Sequence, residues 1–306
     1  YGGSTTLSYG GLAVTGPTAA TGTVTFTDAD DNVLCTATLP ATSCTTSTSL
    51  PVGSYEITAT YSGDGNHDAA TADPVALEVT KAPITLSGSA ASGDITYGDT
   101  DTLSYSGLTL TGPTAATGTV TFTDADDNVL CTVTLPATSC VTSDSLAAGT
   151  YQVTATYSGD GNHQSGSSDT FSLTVGTRGT TGMTAAVSSP SVVYGTPDTL
   201  SYAGLPLTGS TAATGTVTFT DADDNVLCTA TLPATSCQTP DDLPAGTYAV
   251  TATYSGDSNH DGTTATTSFE VTKADTGVSL VPTGGTYGTA LPLAATGLPP
   301  AATGTV

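Results

Sequence analysis

The chain has 306 residues, 27 of them acidic and only three basic, for a formal charge of −24. That balance excludes a phosphate-binding surface built from clustered Lys and Arg, so nucleic acid is not an expected partner. No run of eighteen apolar residues occurs, which excludes a membrane-spanning helix and with it insertion of this segment into a membrane.

Thr is the commonest residue, and all but three acids are Asp, the exceptions being Glu56, Glu78 and Glu270. Thr with Tyr and Val is strand composition, while Asp bonds its own backbone in turns and disfavours helices. The chain repeats itself about every 96 residues: Tyr1-Gly2, Tyr97-Gly98, Tyr194-Gly195 and Tyr287-Gly288 mark one point in four copies. Residues 1–81 form a repeat that lacks its first strand, 82–176 and 177–273 are complete, and 274–306 begin a fourth. Both ends fall inside repeats, so the chain is expected to be a section of a longer array. The joint "GTRGTTG" (176–182) should bend more readily than the Pro-containing "TKAP" (80–83).

Within residues 82–176 the apolar period is two. "GTVTF" (118–122) is a strand, followed by the polar turn "DADDN" (124–128). "NVLCTVTL" (128–135) is the next strand and ends at the turn "LPA". After "AAG" comes "TYQVTATY" (150–157), in which Tyr151, Val153, Ala155 and Tyr157 share one face while Gln152, Thr154 and Thr156 share the other. The turn "SGDGN" (158–162) and the strand "FSLTV" (171–175) complete the unit. One face of each strand is core and the other is wet. About seven short antiparallel strands per repeat, with turns every eight to twelve residues, predict an all-β fold of tandem Ig-like β-sandwiches. The strings "LPVGSY", "LAAGTY" and "LPAGTY" place Tyr55, Tyr151 and Tyr248 as tyrosine corners, each phenol bonding backbone upstream.

The strings "GTVTFTD" and "L-x-x-G-x-Y-x-V-T-A-T-Y-S-G-D", with a Ser/Thr-rich final strand, resemble the bacterial Ig-like repeats of group 3. The resemblance covers the whole chain. It implies a structural, extracellular array in a bacterial surface protein of the adhesin type, acting as stalk, spacer or fibre, with no catalytic residues. It also leaves open a binding module whose turns or faces recognise a glycan, a protein or a sister chain. With strands rising about 3.3 Å per residue, three sandwiches in an elongated array would span roughly 100 Å.

The cysteine pairs are not counted among the features of that resemblance. Cys35 and Cys44, Cys131 and Cys140, and Cys228 and Cys237 each flank a central Leu-Pro. If Leu135 and Pro136 form a hairpin tip, Cys131 faces Cys140 across it at a position suited to a disulfide. The expectation is a local staple within a hairpin, unlike the bridge between opposite sheets of antibody domains. Three matched pairs point to an oxidising, extracellular setting. The rival zinc reading lacks C-x-x-C spacing.

The turns Asp28-x-Asp30-x-Asn32, Asp124-x-Asp126-x-Asn128 and Asp221-x-Asp223-x-Asn225 open like a calcium loop but lack its glycine and its final Glu. The preferred reading is a solvated hairpin turn; the competing one is a calcium site, in a chain that otherwise requires no cofactor. His67, His163 and His260 sit in Gly/Asn/Asp turns and read as surface residues before metal ligands. No nucleophile elbow, H-E-x-x-H pair or phosphate loop occurs, so the chain is not expected to be an enzyme. Lys occurs only at 81 and 273, at joints, which removes an isopeptide clamp inside a repeat.

Overall fold

In the computed structural model, residues 1–280, 284–288 and 295–297 are described. Among them every regular element is a strand. The chain divides into two compact units, Tyr1–Gly176 and Thr177–Val306, and the division falls in the Gly/Thr-rich joint.

The first unit contains two sandwiches. In the one over residues 82–176, the smaller sheet runs Ser139–Val141, Thr102–Ser106, Ser87–Ala90. The larger runs Val129–Thr134, Thr119–Thr123, Gly149–Tyr157, Phe171–Gly176, Asp94–Thr96, with the short Gly166–Ser167 strand also on Gly149–Tyr157. All pairs are antiparallel except the last of the long path, where Asp94–Thr96 lies parallel to Phe171–Gly176. Two-residue periodicity puts Val120, Phe122, Val153, Ala155, Tyr157 and Leu173 on the inner face of the large sheet. Leu103 and Tyr105 meet them from the small sheet. This is the half-buried alternation that an antiparallel sheet needs.

The alternation slips once. Phe122 pairs with Cys131 but Thr123 pairs with Val129, so Leu130 is an extra residue in a bulge. Val129 is thereby turned outward and is 61 % exposed. The same slip recurs between Phe26 and Thr27 and between Phe219 and Thr220. A bulge at an edge strand raises local twist and blunts the edge.

The sandwich over residues 1–81 has the same large sheet without the parallel edge: Val33–Thr38, Thr23–Thr27, Gly53–Tyr61, then Ala70–Thr71 and Val75–Val79. Its small sheet has only Thr6–Ser8 and Ser43–Thr45. The second unit holds a sandwich with sheets Thr184–Val187, Thr199–Ala203, Ser236–Gln238 and Ser191–Val193, Thr263–Thr272, Gly246–Tyr254, Thr216–Thr220, Val226–Thr231. Its core is Leu200, Tyr202, Val217, Phe219, Val250, Ala252, Tyr254 and Phe269. Most of the expected fourth repeat (274–306) lies outside the described residues; Ser279–Leu280 pairs there with Ala295–Thr296.

Leu103 is fully enclosed while Val129 faces water. Leu103→Ala should therefore destabilise its sandwich by about 2–5 kcal/mol, and Val129→Ala should stay within about 0.5 kcal/mol. Calorimetry of the full chain checks this: one transition should move for the first variant and none for the second.

Candidate functional site

The cysteines are joined as Cys35–Cys44, Cys131–Cys140 and Cys228–Cys237, with Cα separations of 5.9, 6.0 and 5.9 Å. Their setting differs from the expected hairpin. Cys131 lies on Val129–Thr134, an edge of the large sheet, whereas Cys140 lies on Ser139–Val141, an edge of the small one. The chain between them turns at Leu135–Pro136, a cis peptide, and the Ala137 N–H bonds to the Thr134 carbonyl. From there the Tyr105 N–H captures the Thr138 carbonyl and draws the chain into the opposite sheet. The bridge is short in sequence yet joins the two layers at one open side of the sandwich. Leu103 stands opposite Cys140 in the small sheet and Phe122 opposite Cys131 in the large one, so the clasp sits on the core.

The acidic tips are closed turns. In the first, Asp28 Oδ1 accepts the Asp30 and Asn32 N–H groups at 3.0 and 2.9 Å. The Asn32 amide donates to Oδ2 at 3.0 Å. Asp124 with Asp126 and Asn128, and Asp221 with Asp223 and Asn225, repeat the pattern. Each fourth residue, Asp31, Asp127 or Asp224, has a positive φ near 62–63°, a conformation that Asp and Asn tolerate best after Gly. The Asn side chain presents its NH₂ to the Asp, and bonds from Asn32, Asn128 and Asn225 hold Asp28, Asp124 and Asp221 below the usual carboxylate range. Among the described residues no group of three or more His, Cys, Asp or Glu comes together with metal-site geometry.

The second acidic turn is better ordered. Asp160 Oδ1 accepts the Asn162 and His163 N–H groups at 2.8 and 2.7 Å, and Oδ2 accepts the Thr117 N–H at 2.8 Å. His163 Nδ1 lies 2.9 Å from Oδ1, and the Tyr157 hydroxyl donates to Oδ2 at 3.0 Å. Asp64 and Asp257 are bound likewise by Thr21, Asn66 and His67, and by Thr214, Asn259 and His260. Burial pushes the Asp160 and Asp257 carboxyls up, but the hydrogen bonds outweigh it and hold both far below the ordinary value; at Asp64 the Thr21 and Asn66 bonds lead. Burial first, then the Asp257 charge, pushes the Tyr254 phenol up to about 12.

His163 and His260 are not surface turn residues: they are 7 % and 2 % exposed. The cause is the segment that leads into their repeats. Ala82 N–H bonds to the Asn162 carbonyl, and Gln164 N–H to the Ala82 carbonyl. Arg178 N–H and Asp261 N–H make the same two bonds in the second unit, to Asn259 and Arg178. The His67 side chain is 35 % exposed.

The turn of residues 160–163 also receives the preceding repeat. Lys81 Nζ donates to the Asp160 carbonyl at 2.6 Å, and Val52 N–H donates to Asn162 Oδ1 at 3.0 Å. The Tyr1 ring stands edge-on to His163 at 5.3 Å, and its hydroxyl donates to the Pro113 carbonyl at 3.0 Å. One repeated turn therefore fixes its own chain's path and seats the neighbour.

The corner tyrosines Tyr55, Tyr151 and Tyr248 donate to the carbonyls of Pro51, Ala147 and Pro244, each at 2.8 Å. Sequence reasoning missed two further sets. Tyr61, Tyr157 and Tyr254 donate to Thr21, Thr117 and Thr214; Tyr9, Tyr105 and Tyr202 donate to Ala41, Ala137 and Ala234 just past the cis turn. Asp101 and Asp198, both buried, were missed as well: Asp101 accepts N–H groups of Ser92, Gly93 and Thr102, and Asp198 those of Ser189 and Thr199 and the Ser188 hydroxyl. Their recurrence at the repeat period was a signal; their partners were not.

These features define a class of protein: tandem immunoglobulin-type sandwiches, each clasped across its two layers. The family profile of the bacterial Ig-like domain (group 3) matches residues 1–80, 87–176 and 184–272. The chain belongs to that family. Comparison with curated proteins gave no match. Solved structures similar to it include the fibronectin(III)-like modules of Clostridium thermocellum CbhA, at 12 % identity over 61 % of this chain and 94 % of that one, TM-score 0.25. The FN1-FN3 domains of chicken CNTN1 are similar at 12 % identity over 88 % of this chain and 94 % of that one, TM-score 0.26. The BSP domain of a biofilm associated protein is similar at 14 % identity over 87 % of this chain and 61 % of that one, TM-score 0.24.

Opening the Cys131–Cys140 clasp by a double Ser substitution should cost about 2.5–3 kcal/mol, the chain entropy of a ten-residue loop. Chemical denaturation read in the presence and absence of reductant checks it: without reductant the transition of the 82–176 sandwich should come at lower denaturant in the variant than in the wild type, and with all remaining bridges reduced the two proteins should coincide.

The turn carboxylates set a pH dependence with a definite sign. Because the folded values of Asp64, Asp160 and Asp257 are depressed, their contribution is full above about pH 4 and is lost as pH falls toward the folded values. Asp160→Asn should lower the thermal midpoint of its sandwich at pH 7 and flatten the decline between pH 5 and 2, measured by calorimetry against wild type.

Proposed function

We propose that this chain is a non-catalytic spacer array of an extracellular bacterial surface protein, one that holds other parts of its parent at a distance. The observation that carries the reading is the seating of one repeat on the next at the 160–163 turn, where Lys81, Val52 and Tyr1 all meet a single loop. A site for chemistry spends charged groups on a substrate; here Asp160 spends both oxygens on its own chain, and its carbonyl takes up Lys81. That use of polar atoms suits a joint that holds neighbouring repeats together.

Family membership supports a place on the bacterial surface, and three disulfides support an oxidising compartment. The reading requires no cofactor, since each sandwich is closed by its own sulfur bridge and each acidic turn by its own N–H donors. Adhesion would then belong to whatever the array presents, and the charge of −24 keeps parallel arrays apart at low salt.

Small-angle scattering of the full chain in chelator tests the proposal. Repeats held end to end should give a maximum dimension on the order of 100 Å or more. Lys81→Ala with Tyr1→Ala should broaden the distance distribution without unfolding either sandwich. A compact particle, or a double variant indistinguishable from wild type, would contradict it.

A further inference from the structure

The three copies of the block at 25–44, 121–140 and 218–237 differ at a single position, and that position is buried: Ala37, Val133 and Ala230. Every exposed residue from 125 to 138 has the same identity in the other two repeats, down to Val33, Val129 and Val226, each 61 % exposed. Surface side chains of this kind contribute little to stability, so the fold alone does not hold them fixed. Recent duplication does not explain it either, because the segment that follows has diverged: "TTSTS" (45–49), "VTSDS" (141–145) and "QTPDD" (238–242). In the middle of the same sheet one outward position is Glu56, Gln152 and Ala249 in turn.

The identical surface is the outer edge of the large sheet. Val33–Thr38, Val129–Thr134 and Val226–Thr231 each end their sheet, and among the described residues no strand pairs with their outer side. The Leu135 N–H bonds inward to the Gly118 carbonyl, so alternation turns Val133 inward and aims the Thr132 N–H and C=O and the Thr134 N–H outward. Leu39 and Leu232 make the same inward bond, to Gly22 and Gly215. The bulge at Leu130 twists one end of the edge only; from 131 to 134 the register is regular. Natural sheet edges are commonly guarded by charged side chains. Here, in a chain with 27 acids, residues 129–143 carry no charge.

We propose that this edge is a pairing surface and that its partner is the same edge of a second copy of this chain, joined antiparallel about Thr132. The edge is its own complement. In an antiparallel pair centred there, each Thr132 gives its N–H to the Thr132 carbonyl of the other copy and takes one in return, so the two sheets continue into each other. Charge fixes the direction. Antiparallel pairing lays the acidic turn at 124–128 of one copy beside the uncharged 135–138 end of the other, whereas parallel pairing would set two acidic turns side by side. The contact is isologous, and Thr36 and Thr229 centre the same edge in the other sandwiches. It does not depend on the spacer reading.

Sedimentation velocity of the full chain, from micromolar to sub-millimolar at about 0.15 M salt where charges beyond about 8 Å are screened, tests the proposal together with amide hydrogen exchange. Expected is concentration-dependent association in which the Thr36, Thr132 and Thr229 amides, fast to exchange in the dilute chain, become protected. Thr36→Lys, Thr132→Lys and Thr229→Lys together set like charges opposite each other and should weaken association roughly tenfold, although they reduce the overall negative charge. Val33→Glu, Val129→Glu and Val226→Glu, at side chains already in water, should also weaken it, with the fold intact by circular dichroism. Glu56→Lys, Gln152→Lys and Ala249→Lys, away from the edge, should associate at least as well as wild type. A chain that stays monomeric throughout, association without protection of those amides, edge variants that associate like wild type, or a mid-sheet variant that loses as much as they do would each overturn it.

Discussion

A two-layered β body of this size depends on holding its layers together where the sheets stop. The large apolar groups are few: the chain has five Phe and no Trp, and its cores are filled by Val, Leu, Ala and Tyr. A disulfide between the edge strands of opposite sheets meets that constraint directly, because it ties the layers together on the side where hydrogen bonding has run out. The tyrosines extend the same logic. Tyr105 and Tyr157 bury their rings in the core and spend their hydroxyls on the carbonyls of Ala137 and Thr117, so each pins a loop to a sheet.

The acids follow from this economy. With so small an interior, loop geometry is fixed by short polar side chains that saturate backbone N–H groups, and Asp does this best when ionised. Asp124 shapes a hairpin tip, Asp160 a turn that locks the lead-in segment, and Asp101 a buried corner beneath Ser92 and Gly93. Much of the negative charge is therefore a by-product of turn building, multiplied by repetition. At 160–163 the ordered turn is also rigid enough to seat Lys81, Val52 and Tyr1 of the preceding repeat.

Strands with a clean two-residue rhythm were legible from sequence. Thr119–Thr123, Gly149–Tyr157 and Phe171–Gly176 bury alternate residues and lie where periodicity places them. Ser87–Ala90 and Asp94–Thr96 were not, since Ser, Gly and Asp carry no apolar alternation and their strand state comes from the edges they cover. The change of layer after Leu135–Pro136 was also hidden. Local pattern shows that the chain turns there, but whether it rejoins its own sheet is decided by Tyr105 and Leu103, some thirty residues earlier. His163 was read as exposed for the same reason: the segment that covers it comes from about eighty residues upstream.

The bridges cross from layer to layer, and the proposed surface role requires that they form in an oxidising setting. Peptide mapping by mass spectrometry of the unreduced protein, isolated from the medium or surface of the organism that makes it, tests this most directly. The account predicts linked peptides joining Cys35 to Cys44, Cys131 to Cys140 and Cys228 to Cys237, with every thiol blocked to alkylation until reductant is added. Alkylatable cysteines in the mature protein, or linkages that join different repeats, would contradict it.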